Sequence, residues 1–155
     1  MKPPLYIGAD HAGWEYKETL KTTLIQQGFD ITDLGNAHLV EDDDYPDFSY
    51  AVARRVATDP LARGILLCAN AQGVCIVANK IRGIRAVTGF DEQVAVTSRT
   101  DDDSNVLCLP ARHLSQEEII KITNLWLQTE FSKEDRHVRR LQKLSEIESH
   151  IYPQL

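Results

Sequence analysis

The stretch that decides the fold is Arg63–Lys80, RGILLCANAQGVCIVANK. Ile65-Leu66-Leu67 is a continuous apolar run behind Gly64, the pattern of a strand buried on both faces. Cys68 ends that strand. Ala69-Asn70-Ala71-Gln72-Gly73 are small or turn-forming, and Val74-Cys75-Ile76-Val77-Ala78-Asn79-Lys80 restarts as an apolar segment. In an open parallel sheet, ligands bind in the crevice beyond the carboxyl ends of the strands. The helix that follows offers free backbone N–H groups and the positive end of its dipole, which would favour a thiolate. A free cysteine is more often a small buried hydrophobe than a reactive group. Cys75 and Cys108, each inside an apolar run, fit that reading. Cys68, last in its strand and first before the turn, is the candidate for chemistry.

Outward from that strand the chain alternates. Leu5-Tyr6-Ile7 predicts a first strand, and Gly8-Ala9-Asp10-His11-Ala12-Gly13 a turn. A helical pattern runs through Tyr16, Leu20, Leu24 and Ile25 and is stopped by Gly28. Phe29–Leu34 reads as a second strand and Gly35–Asp44 as a polar loop ending in three aspartates. Tyr45-Pro46-Asp47 opens a helix with Phe48, Ala51, Val52 and Val56 on one face, broken at Asp59-Pro60. After Lys80 come a strand at Ile84–Thr88, a helix at Asp91–Thr100 and a fifth strand at Asn105–Leu109, stopped by Pro110. Ser115 with Glu118 forms a capping box before a helix through Ile119, Ile122, Trp126 and Leu127. A charged helix from Lys133 to Ile151 closes the chain, with Val138, Leu141, Leu144 and Ile147 on one stripe.

Five strands alternating with helices predict an α/β fold: a doubly wound, five-stranded parallel sheet with helices on both faces and an extra C-terminal helix. The 155 residues suit a single domain, 1–155. The terminal helix, about 133–152, either packs on its own domain or docks on a partner subunit.

Composition narrows the function. With 43% hydrophobic and 26% charged residues the chain is ordinary for a soluble globular protein. Its net charge of −6 argues against a general nucleic-acid or membrane surface. No apolar run reaches the length of a membrane span, and the opening Met-Lys-Pro-Pro lacks a signal-peptide core. Three cysteines without paired spacing suggest reduced thiols in a cytoplasm. No C-x-x-C or H-E-x-x-H is present, so no metal is expected. No G-x-G-x-x-G follows the first strand, which disfavours a nucleotide-binding regulator.

Three constellations could carry chemistry. Asp10-His11 falls at the carboxyl end of the first strand, on the same sheet edge as Cys68, and pairs a carboxylate with an imidazole. Arg136 and Arg140 lie one turn apart with His137 between them. They either clamp a phosphate or form a solvated face with Glu134 and Asp135. Asp101-Asp102-Asp103 reads as a solvated turn or cap rather than a metal site.

Taken together, GADHAG at 8–13, DYPDF at 44–48, GILLC at 64–68, GVCIVANKIRGIRA at 73–86, SNVLCLPAR at 104–112 and RHVRR at 136–140 resemble the ribose-5-phosphate isomerase B family. That family includes galactose-6-phosphate isomerases, and the resemblance covers nearly the whole chain. It implies cofactor-free, metal-free aldose–ketose interconversion of a sugar phosphate, most simply ribose 5-phosphate to ribulose 5-phosphate in the pentose phosphate pathway. It also implies active sites at the interface of a homodimer, with a homotetramer as the larger assembly. By position, Cys68 matches the catalytic base. Asp10 and His11 match the substrate-binding pair, with His11 near the phosphate, and Tyr45 matches the site tyrosine. Arg112, Arg136 and Arg140 match the phosphate-binding arginines, the last two donated by the neighbouring subunit, with His137 lining the same site.

Two departures qualify the match. The family's G-T-G-x-G loop is here Ala69-Asn70-Ala71-Gln72-Gly73. Alanine resists the positive φ that glycine allows, so the amides are expected to point differently, with Asn70 and Gln72 as side-chain donors. The family's ring-opening histidine, followed by Asn-Asp or Asn-Asn, is replaced by Asp101-Asp102-Asp103; Asp101 is then the candidate acid/base and Asp102 its substrate-binding neighbour. These changes leave room for another phosphosugar, such as allose or galactose 6-phosphate, or for a catalytically weak phosphosugar-binding paralogue.

Overall fold

The computed structural model describes residues 2–152; Met1 and 153–155, the ends of the expected 1–155 domain, lie outside the described residues. The strands are β1 Leu5–Ala9, β2 Ile31–Asp33, β3 Arg63–Cys68, β4 Ala86–Thr88 and β5 Val106–Pro110. The helices are α1 Trp14–Gln26, α2 Tyr45–Ala57, α3 Gln72–Ala78, α4 Glu92–Thr100, α5 Gln116–Gln128 and α6 Asp135–Ile151. All strand pairs are parallel, in the order β2-β1-β3-β5-β4, as the alternation predicts. The connection reverses direction between β1 and β3, which makes their carboxyl ends the topological switch point of the sheet.

The two faces of β3 and β5 explain their continuous apolar runs. Ile65, Leu67, Leu107 and Leu109 bury against α1, α4 and α5 through Leu20, Leu24, Ala95, Ile119, Ile122 and Trp126. Leu66, Cys68, Val106 and Cys108 turn the other way and pack on α2 and α3 through Val52, Val56, Val74 and Ala78. Each such side chain, removed from water, contributes about 1.5–3 kcal/mol, so both layers are needed to hold the central strands.

The expected boundaries shift at the sheet edges. β2 spans only Ile31–Asp33, because Asp33 turns its carboxylate to Lys17 and to the N–H of Gly35. β4 begins at Ala86: Gly83 has φ +81, and the N–H of Ile84 returns to Ile81, which closes a turn where strand pairing was expected. β5 includes Pro110, since at the carboxyl end of the strand no further ladder donor is required. The terminal helix starts at Asp135, after Lys133 takes φ +57. The capping box at Ser115 and Glu118 forms as expected.

Candidate active site

Every β-strand ends at one edge, and Cys68, Asp10 and His11 meet there across the switch point. Gly13 lets α1 approach β3: a Cβ on it would stand 2.7 Å from the Leu67 carbonyl group. Asp10 is buried and accepts from the N–H groups of Ala12 (3.1 Å) and Gly13 (3.2 Å). Burial nonetheless outweighs those bonds and raises its carboxyl above the usual range. Arg112 follows β5 and is anchored beside Cys68: Ala111 N–H donates to Cys68 O at 2.9 Å and Arg112 N–H to Ala69 O at 3.0 Å. Tyr45 lies over the 69–73 loop, and a Cβ on Gly73 would meet its ring at 2.6 Å.

The loop itself corrects the sequence reading. Ala71 sits at φ +64, ψ −8, in the left-handed region that alanine was expected to avoid. The surroundings over-determine it. The start of the loop is tied by the Ala111 and Arg112 amides, Gln72 N–H donates to Asn70 Oδ1 at 3.1 Å, and the Ala71 side chain is fully buried. Such a conformation costs about 1–2 kcal/mol in an L-residue and persists only where packing offsets it. Gln72 N–H is thus turned back onto Asn70, which caps its own loop.

The second correction concerns the thiol. Burial pushes Cys68 above its ordinary value, with the Asp10 charge adding to the rise; the N–H groups of Val74, Ala71 and Asn70 pull the other way and do not overcome it. Cys75, read from the sequence as inert, is the thiol brought down, to about 7, because Cys108 donates to it.

The sequence reading missed Asp43. It is the middle residue of the Asp42-Asp43-Asp44 run, and its side chain is only 8% exposed. One oxygen accepts from both His11 N–H (2.8 Å) and His11 Nδ1 (2.9 Å); the other accepts from Asn36 Nδ2 (2.9 Å). The bond from Asp43 raises His11 above its ordinary value; partial burial opposes it, the charges of Asp10 and Asp43 reinforce it, and Arg112 lowers it. The aspartate run was the available signal, but only the path of the loop selects its middle member.

The remaining candidates lie elsewhere. α4 runs back from the carboxyl edge, so Asp101 and Asp102 sit at the amino edge of the sheet, where Asp103 binds Arg85 and Arg99. Ser132 N–H donates to Thr100 O at 3.1 Å, which brings the start of α6 to the same place. Asp101 is 46% exposed and accepts from Thr100 Oγ1. His137 is 2% exposed; its Nε2 lies 3.8 Å from Asp101 Oδ1 and 3.8 Å from Glu134 Oε2 and finds no hydrogen-bond partner among the described residues. Within one chain His137 thus lines no open site, because its imidazole is enclosed. Arg136 and Arg140 are exposed, Arg136 pairing with Glu134 at 2.9 Å. Among the described residues no group of three metal-ligating side chains converges. A groove of about 660 Å³ between Pro4, Arg63, Arg99 and Thr129 contains none of the candidate residues.

This geometry can be set beside known proteins. The family described as Ribose/Galactose Isomerase matches residues 5–144. The chain belongs to that family. It is similar to a probable ribose-5-phosphate isomerase B of Mycoplasma pneumoniae, 41% identical over 144 residues, covering 93% of this chain and 94% of the relative. A D-erythrulose-4-phosphate isomerase of Pectobacterium atrosepticum is 38% identical over 125 residues, covering 81% and 82%. Among solved structures, ribose-5-phosphate isomerase B of Mycoplasma genitalium with bound ribulose 5-phosphate has a TM-score of 0.91 at 36% identity, covering 94% and 96%. The chain is a ribose-5-phosphate isomerase B-like aldose–ketose isomerase, as the resemblance implied. No helix of the described residues is long and apolar enough to cross a membrane.

Proposed function

We propose that this isomerase interconverts ribose 5-phosphate and ribulose 5-phosphate with Cys68 as the base. The observation that carries the reading is the setting of that thiol: it ends the central strand at the switch point, on the same sheet edge as Asp10 and His11 and directly before the left-handed turn at Ala71. The Cys68 thiolate takes the proton from C2 of the open-chain aldose; the electron pair forms the C1–C2 double bond, and O1 becomes the enediolate oxygen. The thiol then returns the proton to C1, the C2–O2 bond becomes the ketone, and the hydroxyl proton passes from O2 to O1. Oriented donors at the loop and at His11 suit the negative charge that develops. Asp10, Tyr45 and the 69–73 segment hold the sugar, and Arg112 faces its phosphate.

Arg136, His137, Arg140, Asp101 and Asp102 complete the site from a second copy of the chain. Their separation from Cys68, at the opposite edge of the sheet, supports that reading: one chain presents two different half-sites, and two chains in a closed dimer pair them twice.

A second substrate is favoured by one observation. Asp101 is a carboxylate where the family has an imidazole, and the one imidazole nearby, His137, is enclosed. Opening a furanose needs an acid active near neutral pH, which an imidazole supplies. A tetrose 4-phosphate has no such ring to open, because its O4 carries the phosphate. A coupled assay on ribose 5-phosphate, erythrose 4-phosphate, allose 6-phosphate and galactose 6-phosphate tests the reading. Turnover of the pentose is expected. Turnover of the tetrose alone transfers the assignment, and turnover of none defeats it.

A further inference from the structure

We propose that Asp43 is a positioning residue of the site, holding the His11 ring so that Nε2 is presented as a donor to an anionic oxygen of the bound sugar phosphate. The proposal rests on the isomerase reading for its ligand; its geometry stands apart from that reading.

Lys17 is wholly buried, yet its ammonium is satisfied by Asp33 Oδ2 at 2.6 Å, Glu18 Oε1 at 2.7 Å and the Asn36 carbonyl at 3.1 Å. Trp14 Nε1 donates to that same carbonyl at 3.0 Å. With its backbone held by two donors, Asn36 points its amide at Asp43 Oδ2, and Asp43 Oδ1 receives both the N–H and the Nδ1 of His11. A continuous hydrogen-bonded series therefore runs from the α1 scaffold through the 35–44 loop to an imidazole at the carboxyl edge.

Each link has a chemical consequence. An Asp43 oxygen accepting from Nδ1 places a proton there and leaves Nε2 as the nitrogen free for a ligand. The His11 side chain is 38% exposed, whereas that of Asp43 is 8% exposed, so the ring and not the carboxylate faces the open edge. Three charged groups act on the ring: Asp43 and Asp10 favour its cationic form, and Arg112 disfavours it. The carboxylates prevail, so the imidazole keeps its second proton to a higher pH than a free histidine. A cation with a fixed N–H beside Arg112 recognises a phosphate or another anionic oxygen, and it does so by binding rather than by moving the C–H proton.

The test reads the ring directly. Imidazole titration by NMR, with the His11 signal assigned by its loss in His11→Gln, is compared between wild type and Asp43→Asn. Asn keeps the size of the side chain and removes its charge. The His11 midpoint is expected to fall. KM for ribose 5-phosphate near neutral pH is expected to rise about tenfold, the loss of one charge-assisted hydrogen bond, with kcat changed far less. The alkaline limb of the KM profile should move to lower pH with the midpoint. An unmoved midpoint, or a fall in kcat alone together with a lower melting temperature, overturns the proposal. Should Asp43→Asn not fold, Asn36→Ala, which frees Asp43 without removing its charge, must shift the midpoint and KM in the same directions by less; no shift there also overturns it. A wild-type protein that binds but does not isomerise ribose 5-phosphate defeats the isomerase reading and leaves the titration result intact.

Discussion

The two ends of the sheet carry two differently built regions. At the carboxyl edge, Asp43 holds both the amide and the ring of His11, Asp10 accepts from the amides of its own turn, and Cys68 and Ala69 are pinned by the residues that follow β5. At the amino edge, Asp101 and the start of α6 expose two arginines, and a buried imidazole nitrogen there is left without a partner. The first region is held in place by its own hydrogen bonds, while the second sets exposed charges around one enclosed imidazole. Preorganisation costs nothing at the moment of reaction, whereas a half-site must acquire its geometry from what docks against it.

The sharpest way to break this contrast is Cys68→Ala. Turnover should fall by about two to four orders of magnitude, the usual cost of losing a general base, with the fold left intact. Retained turnover would place the chemistry elsewhere. In the wild type, burial holds the Cys68 thiol above its ordinary value, so kcat should climb as pH rises from neutral into the alkaline range, following the thiolate fraction. A profile flat over that range would count against the thiolate.

Next in size is complementation. Co-expressed Cys68→Ala and Arg140→Ala chains, each inactive alone, should together recover about a quarter of wild-type activity: half of random dimers are mixed, and one of their two sites is intact. Heterodimers that form and stay inactive would show that the two edges never share a site.

A smaller effect is expected at Asp101. Replacing it with histidine should raise activity on ribose 5-phosphate about three- to tenfold by supplying an acid active near neutral pH. A loss instead would make Asp101 a working member of a differently built site.

Smallest is a difference between cysteines. Iodoacetamide near neutral pH should label Cys75 about threefold or more ahead of Cys68, because Cys75 titrates at about 7 and Cys68 above its ordinary value. Peptide mass spectrometry after brief exposure decides the order.

Much of this was legible in the sequence, for physical reasons that differ by region. The sheet followed from apolar runs bounded by Gly and Pro, since burial on both faces leaves little freedom in what β3 and β5 contain. Cys68, Asp10 and His11 could be placed together because Cys68 ends one strand, Asp10 and His11 follow the end of another, and in a parallel sheet the strand ends share an edge. Asp43 was not found, because three adjacent aspartates are equivalent until a loop path chooses among them. The thiol's direction was misjudged because a helix N-terminus is visible in sequence and the depth of burial is not. The Ala71 conformation was misjudged because intrinsic preference was weighed without the β5 contacts that override it.

That left-handed alanine also bears on motion. A glycine there would let the segment 69–73 wander among many backbone states; a buried methyl held at φ +64 removes most of them. The turn after Cys68 is thus confined to few backbone states. The longer stretch between Asn36 and Asp43 is tied at those two residues and exposed at its tip, 37–39. In amide hydrogen exchange the two should part clearly, with slow exchange around Ala71 and fast exchange around Leu39.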